Sequence, residues 1–63
     1  MTVQEFLDVD SSYYDKFYLC IDGKYFDDGW DHLDECRDCI ISNIEFDTYD
    51  DMHMSLSIDC YHE

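Results

Sequence analysis

The chain has no proline, two glycines and three basic residues among 63. The shortage of cations decides most. Lys16, Lys24 and Arg37 face seventeen Asp and Glu, for a net charge of −14. Such a chain repels phosphates, so nucleic acid and anionic membrane surfaces are excluded as direct partners. A strongly basic protein surface, a metal ion, or no partner at all are left. No apolar run is long enough to span a membrane. The opening Met1-Thr2-Val3-Gln4-Glu5 lacks the basic and apolar regions of a secretory signal. A cytoplasmic location is expected, where the four cysteines stay reduced. No linker or low-complexity segment interrupts the chain. Gly23 and Gly29 both stand where turns are expected.

Aromatics are abundant: six Tyr, four Phe and one Trp. A disordered acidic tail would be poor in them. Residues 1–63 are therefore read as one small acidic domain. A chain of this length buries only about 60% of its unfolded surface, so its core must be dense.

The stretch from Asp27 to Ile41 reads as an amphipathic helix. Asp28 can cap its start, and Asp31 stands where a capping box places a second acceptor. At about 100° per residue, Trp30, Leu33, Cys36 and Ile40 share one stripe. Asp31, Asp34, Glu35 and Asp38 share the other side, neighbours about 5–6 Å apart with no cation between them. Like charges at that spacing oppose a helix, so the row hints that charge serves a partner.

Upstream, Thr2 and Glu5 make a capping-box pattern for a turn or two of helix containing Val3, Phe6 and Leu7. Phe17, Leu19 and Ile21 then alternate with Lys16, Tyr18 and Cys20, and Asp22-Gly23 signals a tight hairpin into Lys24-Tyr25-Phe26. Downstream, Ile44 and Phe46 point inward while Glu45, Asp47 and Tyr49 point outward, with Asp50-Asp51 as the turn. The last strand sets Met52, Met54, Leu56, Ile58 and Cys60 against His53, Ser55, Ser57, Asp59 and Tyr61. The expected fold is α+β: a four-stranded antiparallel sheet from two hairpins, one helix packed on one face, and a short N-terminal helical turn. The other sheet face is expected to be solvated and to carry carboxylates and tyrosines.

The acidic surface is the first candidate site. Along a strand Glu45 and Asp47 stand about 6.7 Å apart, a step comparable to that between successive phosphates. Asp27, Asp28, Asp50 and Asp51 extend the array, and the interleaved tyrosines Tyr13, Tyr14, Tyr18, Tyr25, Tyr49 and Tyr61 offer rigid aromatic anchors, Tyr49 and Tyr61 foremost. A groove built for a polyanion offers Arg and Lys in a matching array, which such a surface can occupy in place of DNA or RNA. The plainer alternative is a soluble acidic domain whose charge prevents aggregation. The residues expected to contact a partner are Asp27, Asp28, Asp31, Asp34, Glu35, Asp38, Glu45, Asp47, Tyr49, Asp50, Asp51 and Tyr61.

Cysteine is the second candidate. Cys36-x-x-Cys39 has the spacing of half a zinc site, and Cys20 and Cys60 could complete it. Helical phase puts Cys36 in the core stripe and Cys39 about 60° away, at the flank. Buried structural thiols, with no metal or other cofactor, are the preferred reading. His32, His53 and His62 are scattered and no nucleophile stands beside a base, so no enzyme is expected. Asp8-x-Asp10-x-Ser12 begins like a calcium loop, but Tyr13 stands where glycine is required and Leu19 where the bidentate acid belongs.

The hexapeptide Thr2-Val3-Gln4-Glu5-Phe6-Leu7, the Asp22-Gly23 turn and the order of elements resemble small acidic proteins of Gram-positive phages and mobile elements, a group that includes anti-CRISPR proteins. The resemblance implies a DNA mimic directed at the DNA-binding groove of a host defence nuclease such as a CRISPR-Cas effector, which reads duplex DNA through Arg side chains and backbone contacts. Two rivals stand beside it: a small structural or zinc-binding module, and an acidic adaptor that binds a basic protein without displacing DNA. A free edge strand can pair with a second copy against like-charge repulsion, so a monomer or weak homodimer is expected.

Overall fold

Asp22 and Gly23 both adopt positive φ, 52° and 85°. That is the backbone a two-residue hairpin needs to match strand twist, and glycine adopts it freely. The turn joins β1 (Lys16–Ile21) to β2 (Lys24–Phe26), antiparallel with Cys20 opposite Tyr25. A second hairpin pairs β3 (Ile40–Thr48) with β4 (Met54–Tyr61), with Glu45 opposite Ser57 and Asp47 opposite Ser55. The computed structural model describes residues 1–10, 14–48 and 53–63. Tyr13, Tyr49, Asp50 and Asp51 lie outside the described residues, as does the expected Asp50-Asp51 turn.

The two hairpins join through their most regularly alternating strands. The sheet order is β2-β1-β4-β3, and β1 runs parallel to β4. The sheet is therefore mixed, not purely antiparallel as expected. The β1–β2 hairpin is a local object whose register its own turn sets, whereas the junction is set by burial. Phe17, Leu19 and Ile21 lie opposite Leu56, Ile58 and Cys60, and placing these two apolar rows side by side puts both in the centre of the sheet. The ladder continues past the strand ends through Asp15 N–H to Met54 C=O at 2.9 Å and Asp22 N–H to Cys60 C=O at 3.0 Å.

The expected long helix is also corrected. Helix α2 spans only Gly29–His32, and a single 3-10 turn, Leu33–Glu35, follows. The chain then turns through Cys36–Cys39 and enters β3 at Ile40. The carboxylate row opposes helical propagation, and β-branched Ile40 and Ile41 are better placed in a strand. Leu33 and Cys36 are buried as the helical stripe required, but Trp30 is 51% exposed. It stands edge-on to Phe17, ring centroids 4.7 Å apart. Gly29 is not a turn residue. A Cβ there would lie 2.8 Å from the Phe17 carbonyl oxygen and 2.9 Å from its ring, so its missing side chain lets α2 approach β1.

Helix α1 (Val3–Val9) carries the expected capping box: Thr2 Oγ1 accepts from Glu5 N–H at 3.1 Å and Glu5 Oε1 from Thr2 N–H at 2.8 Å. Its N-terminus is bound to the segment before β3. Val3 N–H donates to Cys39 C=O and Gln4 N–H to Arg37 C=O, both at 3.0 Å, and Thr2 bridges Ile40. This covers the first part of an otherwise open edge. The core lies between the sheet and these short helices. Val3, Phe17, Leu19, Leu56 and Ile58 are almost fully buried, each worth about 1.5–3 kcal/mol relative to exposure. Phe46 shares their sheet face opposite Leu56 but stays 54% exposed, because α1 only partly reaches the β3 edge.

Candidate functional site

The open face of the sheet is built by alternation. Every residue between two buried ones in β1 and β4 must point away from the core. Register then defines rows across the sheet: Tyr25, Cys20, Asp59 and Asn43; Tyr18, Ser57 and Glu45; Lys16, Ser55 and Asp47. Tyr18 and Tyr25 stack with their rings 17° from parallel and centroids 6.1 Å apart. Small Ser55 and Ser57 form the floor between this aromatic edge and the Glu45–Asp47 carboxylates. Glu45 and Asp47 are exposed, and no charged side chain is buried among the described residues.

A groove of about 620 Å³ opens beside the tyrosines, lined also by Trp30, by Asp15, Asp27 and Asp28, and by Lys16. The Tyr25 phenol is pushed above its ordinary value, first by desolvation and then by its hydrogen bond to the Asp27 carboxylate. Asp28 caps α2 through Oδ1, which accepts from Asp31 N–H at 3.4 Å. The Asp28 carboxylate lies close enough to Asp31 to hold the Asp31 carboxyl above its ordinary range.

The expected row of four carboxylates does not form one helical array. Asp31 lies within α2, Asp34 and Glu35 sit on the 3-10 turn, and Asp38 lies in the turn beyond. Asp34 pairs with Arg37 at 2.7 Å, and Glu35 with His32 at 2.6 Å. Arg37 also donates to Gln4, which ties this segment to α1. Glu45 and Asp47 stand together on the open face as expected, and Tyr61 is exposed at the end of β4. Asp15 and Trp30 are not singled out as contacts by the sequence, and Tyr18 and Tyr25 only among its interleaved tyrosines. The alternation of β1 carried the signal for Tyr18. The exposure of Trp30 had none, because helical periodicity placed it inward.

A second constellation lies at the opposite pole. The turn Cys36-Arg37-Asp38-Cys39 is closed by Cys39 N–H donating to Cys36 C=O at 3.0 Å. Cys36 and Cys39 are fully buried and Cys60 nearly so. The flank position expected for Cys39 is thus corrected: a turn, not helical phase, sets its direction. The Cys36 thiol donates to the Leu33 carbonyl at 3.5 Å. Burial, then the neighbouring Cys36 and Cys39, pushes Cys60 far above an ordinary thiol. Cys20 points to the other sheet face, away from this cluster.

His62 stands beside Cys39 and Asp38. Its backbone N–H donates to Asp22 Oδ1 at 2.8 Å, its Nδ1 bonds Asp22 Oδ2, and its Nε2 lies 3.2 Å from the Glu35 carbonyl. Asp22 first, then Glu35, raises the imidazole's proton affinity. Ligand atoms of Asp38, Cys39 and His62 all lie within 4.8 Å of one another. Among the described residues no helix is long and apolar enough to cross a membrane. Comparison of the chain with protein-family models, with curated proteins and with solved structures gives no match.

Proposed function

We propose that the protein binds the basic nucleic-acid-binding surface of another protein and occupies it in place of DNA or RNA. One observation carries this reading: the uncovered sheet face presents Glu45 and Asp47 in register beside the Tyr18–Tyr25 stack, over a floor of small serines. The side chains are held by strands, so little order is lost on contact. The tyrosines supply rigid area, and Trp30 beside Asp15, Asp27 and Asp28 suits a cationic side chain, attracted by both ring face and carboxylate. The charge of −14 supplies steering toward a basic groove. By its resemblance to anti-CRISPR proteins, the target class we propose is a bacterial defence nuclease of the CRISPR-Cas type. The protein acts by binding alone, with no bond chemistry.

The test is capture from a Gram-positive bacterial lysate at low and high salt, with and without duplex DNA. A DNA-binding protein retained at low salt and released by DNA is the expected result. A partner that DNA cannot displace would replace mimicry with an adaptor role. Glu45→Lys with Asp47→Lys should weaken binding at least about tenfold, or 1.4 kcal/mol. Asp34→Lys with Asp38→Lys should cost less, because Asp34 is already engaged by Arg37.

A further inference from the structure

The sheet ends in two unlike edges. One is β2, only three residues long, and so short an edge offers little to pair with. The other is β3, nine residues long. Among the described residues no strand lies on its outer side, and only its first residues are met there. Thr2 bridges Ile40 in the antiparallel sense, and Ile41 N–H donates to Met1 C=O at 3.0 Å. The chain's own start thus begins a fifth strand on this edge, then turns away into α1. Residues 42–48 are left without one. We propose that this remainder of the β3 edge takes up an extended segment of a partner protein in which basic and apolar residues alternate.

The two faces that meet at the edge dictate that pattern. Successive strand residues point to opposite faces, so an added strand sets every second side chain beside Glu45 and Asp47, and the others beside Ile44 and Phe46. On the first face the two carboxylates are exposed and stand about two strand residues apart, roughly 6.7 Å, which is also the step between alternate side chains of a guest strand. On the second face Phe6 and Tyr14 flank the Phe46 ring, with centroids 6.4 and 6.1 Å away, yet leave it 54% exposed. A guest apolar side chain there would remove that surface from water. In strand addition the main chain supplies affinity and alternate side chains supply specificity. A second copy of this chain does not suit the edge. Antiparallel pairing of two β3 strands centred on Phe46 sets Glu45 of each copy opposite Asp47 of the other, and like charges directly opposite are destabilising. The charge of −14 on each copy adds to the repulsion. The same carboxylates that reject a copy select a basic strand.

This inference does not rest on displacement of DNA, and its test needs no nucleic-acid-binding target. The full chain is titrated with two capped seven-residue peptides of one composition, four lysines and three valines. In one the two residues alternate, and in the other they stand in blocks. Binding is measured by calorimetry and mapped by amide NMR. The alternating peptide is expected to bind one per chain, at least about tenfold tighter than the block peptide, and to slow amide exchange within residues 42–48. Phe46→Ser should weaken the alternating peptide and leave the block peptide unchanged. Glu45→Gln with Asp47→Asn should weaken both, and all three side chains are exposed enough for the fold to persist. Equal affinity for the two peptides overturns the proposal, since charge alone would then account for binding. Amide changes confined to β1 and β2 overturn it too. So does a chain that is dimeric in sedimentation and becomes monomeric on Phe46→Ser, because a second copy would then hold the edge.

Discussion

Alternate residues of β4 face two different environments. Leu56, Ile58 and Cys60 look into a core nearly closed to water, while half-buried Ser55, Ser57 and Asp59 look out onto a face that no described element covers. The inner set carries the folding energy, and the outer set carries charge and shape. Because strand geometry separates them with a period of two, charge on the outer face can be rearranged at little cost to the fold. Lys16 shares the Asp47 row, yet carboxylates outnumber cations over the chain as a whole, which makes sense where a basic surface completes the arrangement.

The sharpest way to break this contrast is to change neighbours on one strand. Leu56→Ala should destabilise by about 2–5 kcal/mol through lost burial and a cavity. Domains of this size hold roughly 3–9 kcal/mol in total, so the variant should be largely unfolded at moderate temperature. Ser57→Ala, its neighbour in sequence, should change stability by less than about 0.5 kcal/mol. Urea denaturation of both, with unchanged slopes, checks the pair. A Ser57 variant as damaged as the Leu56 variant would mean that the open face is not open.

Next in size is Gly29→Ala. The new methyl would meet the Phe17 carbonyl oxygen at 2.8 Å, an atom of the backbone that cannot swing aside. Overpacking of this kind costs about 1–3 kcal/mol. A fall in thermal midpoint of roughly 4–8 °C per kcal/mol is expected. Gly23→Ala tests the other glycine differently, since no atom lies within 4 Å of its added Cβ and only the positive φ opposes it.

These two glycines show what the sequence makes legible. Asp22-Gly23 is local chemistry: positive φ at both residues follows from residue type, and the hairpin forms where the dipeptide stands. The burial of Phe17, Leu19, Ile21, Leu56, Ile58 and Cys60 is equally local, a matter of alternation. Gly29 looked like a second turn, but its role depends on Phe17, twelve residues away, which no local pattern reports. The parallel β1–β4 junction is illegible for the same reason, since two correct hairpins can be joined in more than one way. The segment 28–41 misled through a real ambiguity. Its apolar spacing fits a helix, yet the uncompensated carboxylates and the Ile40-Ile41 pair favour a short helix followed by a strand. The open-face carboxylates Glu45 and Asp47 were legible from β3 alternation, whereas His62 beside Asp38 and Cys39 depends on the pairing of β3 with the end of β4.

A smaller effect sharpens the comparison at the helix that closes the inner layer. Thr2→Ala removes the hydroxyl that accepts from Glu5 N–H and should cost about 1 kcal/mol, within the usual range of about 0.5–2. The reciprocal bond, Thr2 N–H to the Glu5 carboxylate, holds Glu5 below its ordinary value of 4.5. A depressed acid contributes stability above its unfolded value and loses it as pH falls through its folded one. Fraying of α1 is therefore expected on acidification below about pH 4.5, and Glu5→Gln should remove that pH dependence. Amide exchange at Phe6 and Asp10, whose N–H groups bond within or just beyond this helix, reports it.

The smallest change tests the outer surface itself. Asp31 is held above its ordinary value of 3.8, first by its hydrogen-bonding contact with Asp28 and then by that carboxylate's charge. A raised acid behaves in the opposite sense to Glu5: its contribution is most favourable below pH 3.8 and declines as pH rises through the folded value. Asp28→Asn keeps an oxygen to cap Asp31 N–H, so α2 should persist, while the charge is removed. The carboxyl carbon of Asp31, followed by NMR, should then titrate at lower pH than in the wild type. A basic partner seated against Asp28 would move Asp31 in the same direction by supplying positive charge instead of removing negative charge. The mutation thus calibrates the signal by which partner binding at this rim can be read. If Asp31 titrates identically in both chains, the two carboxylates do not interact, and like-charge repulsion at this rim is not available for a partner to relieve.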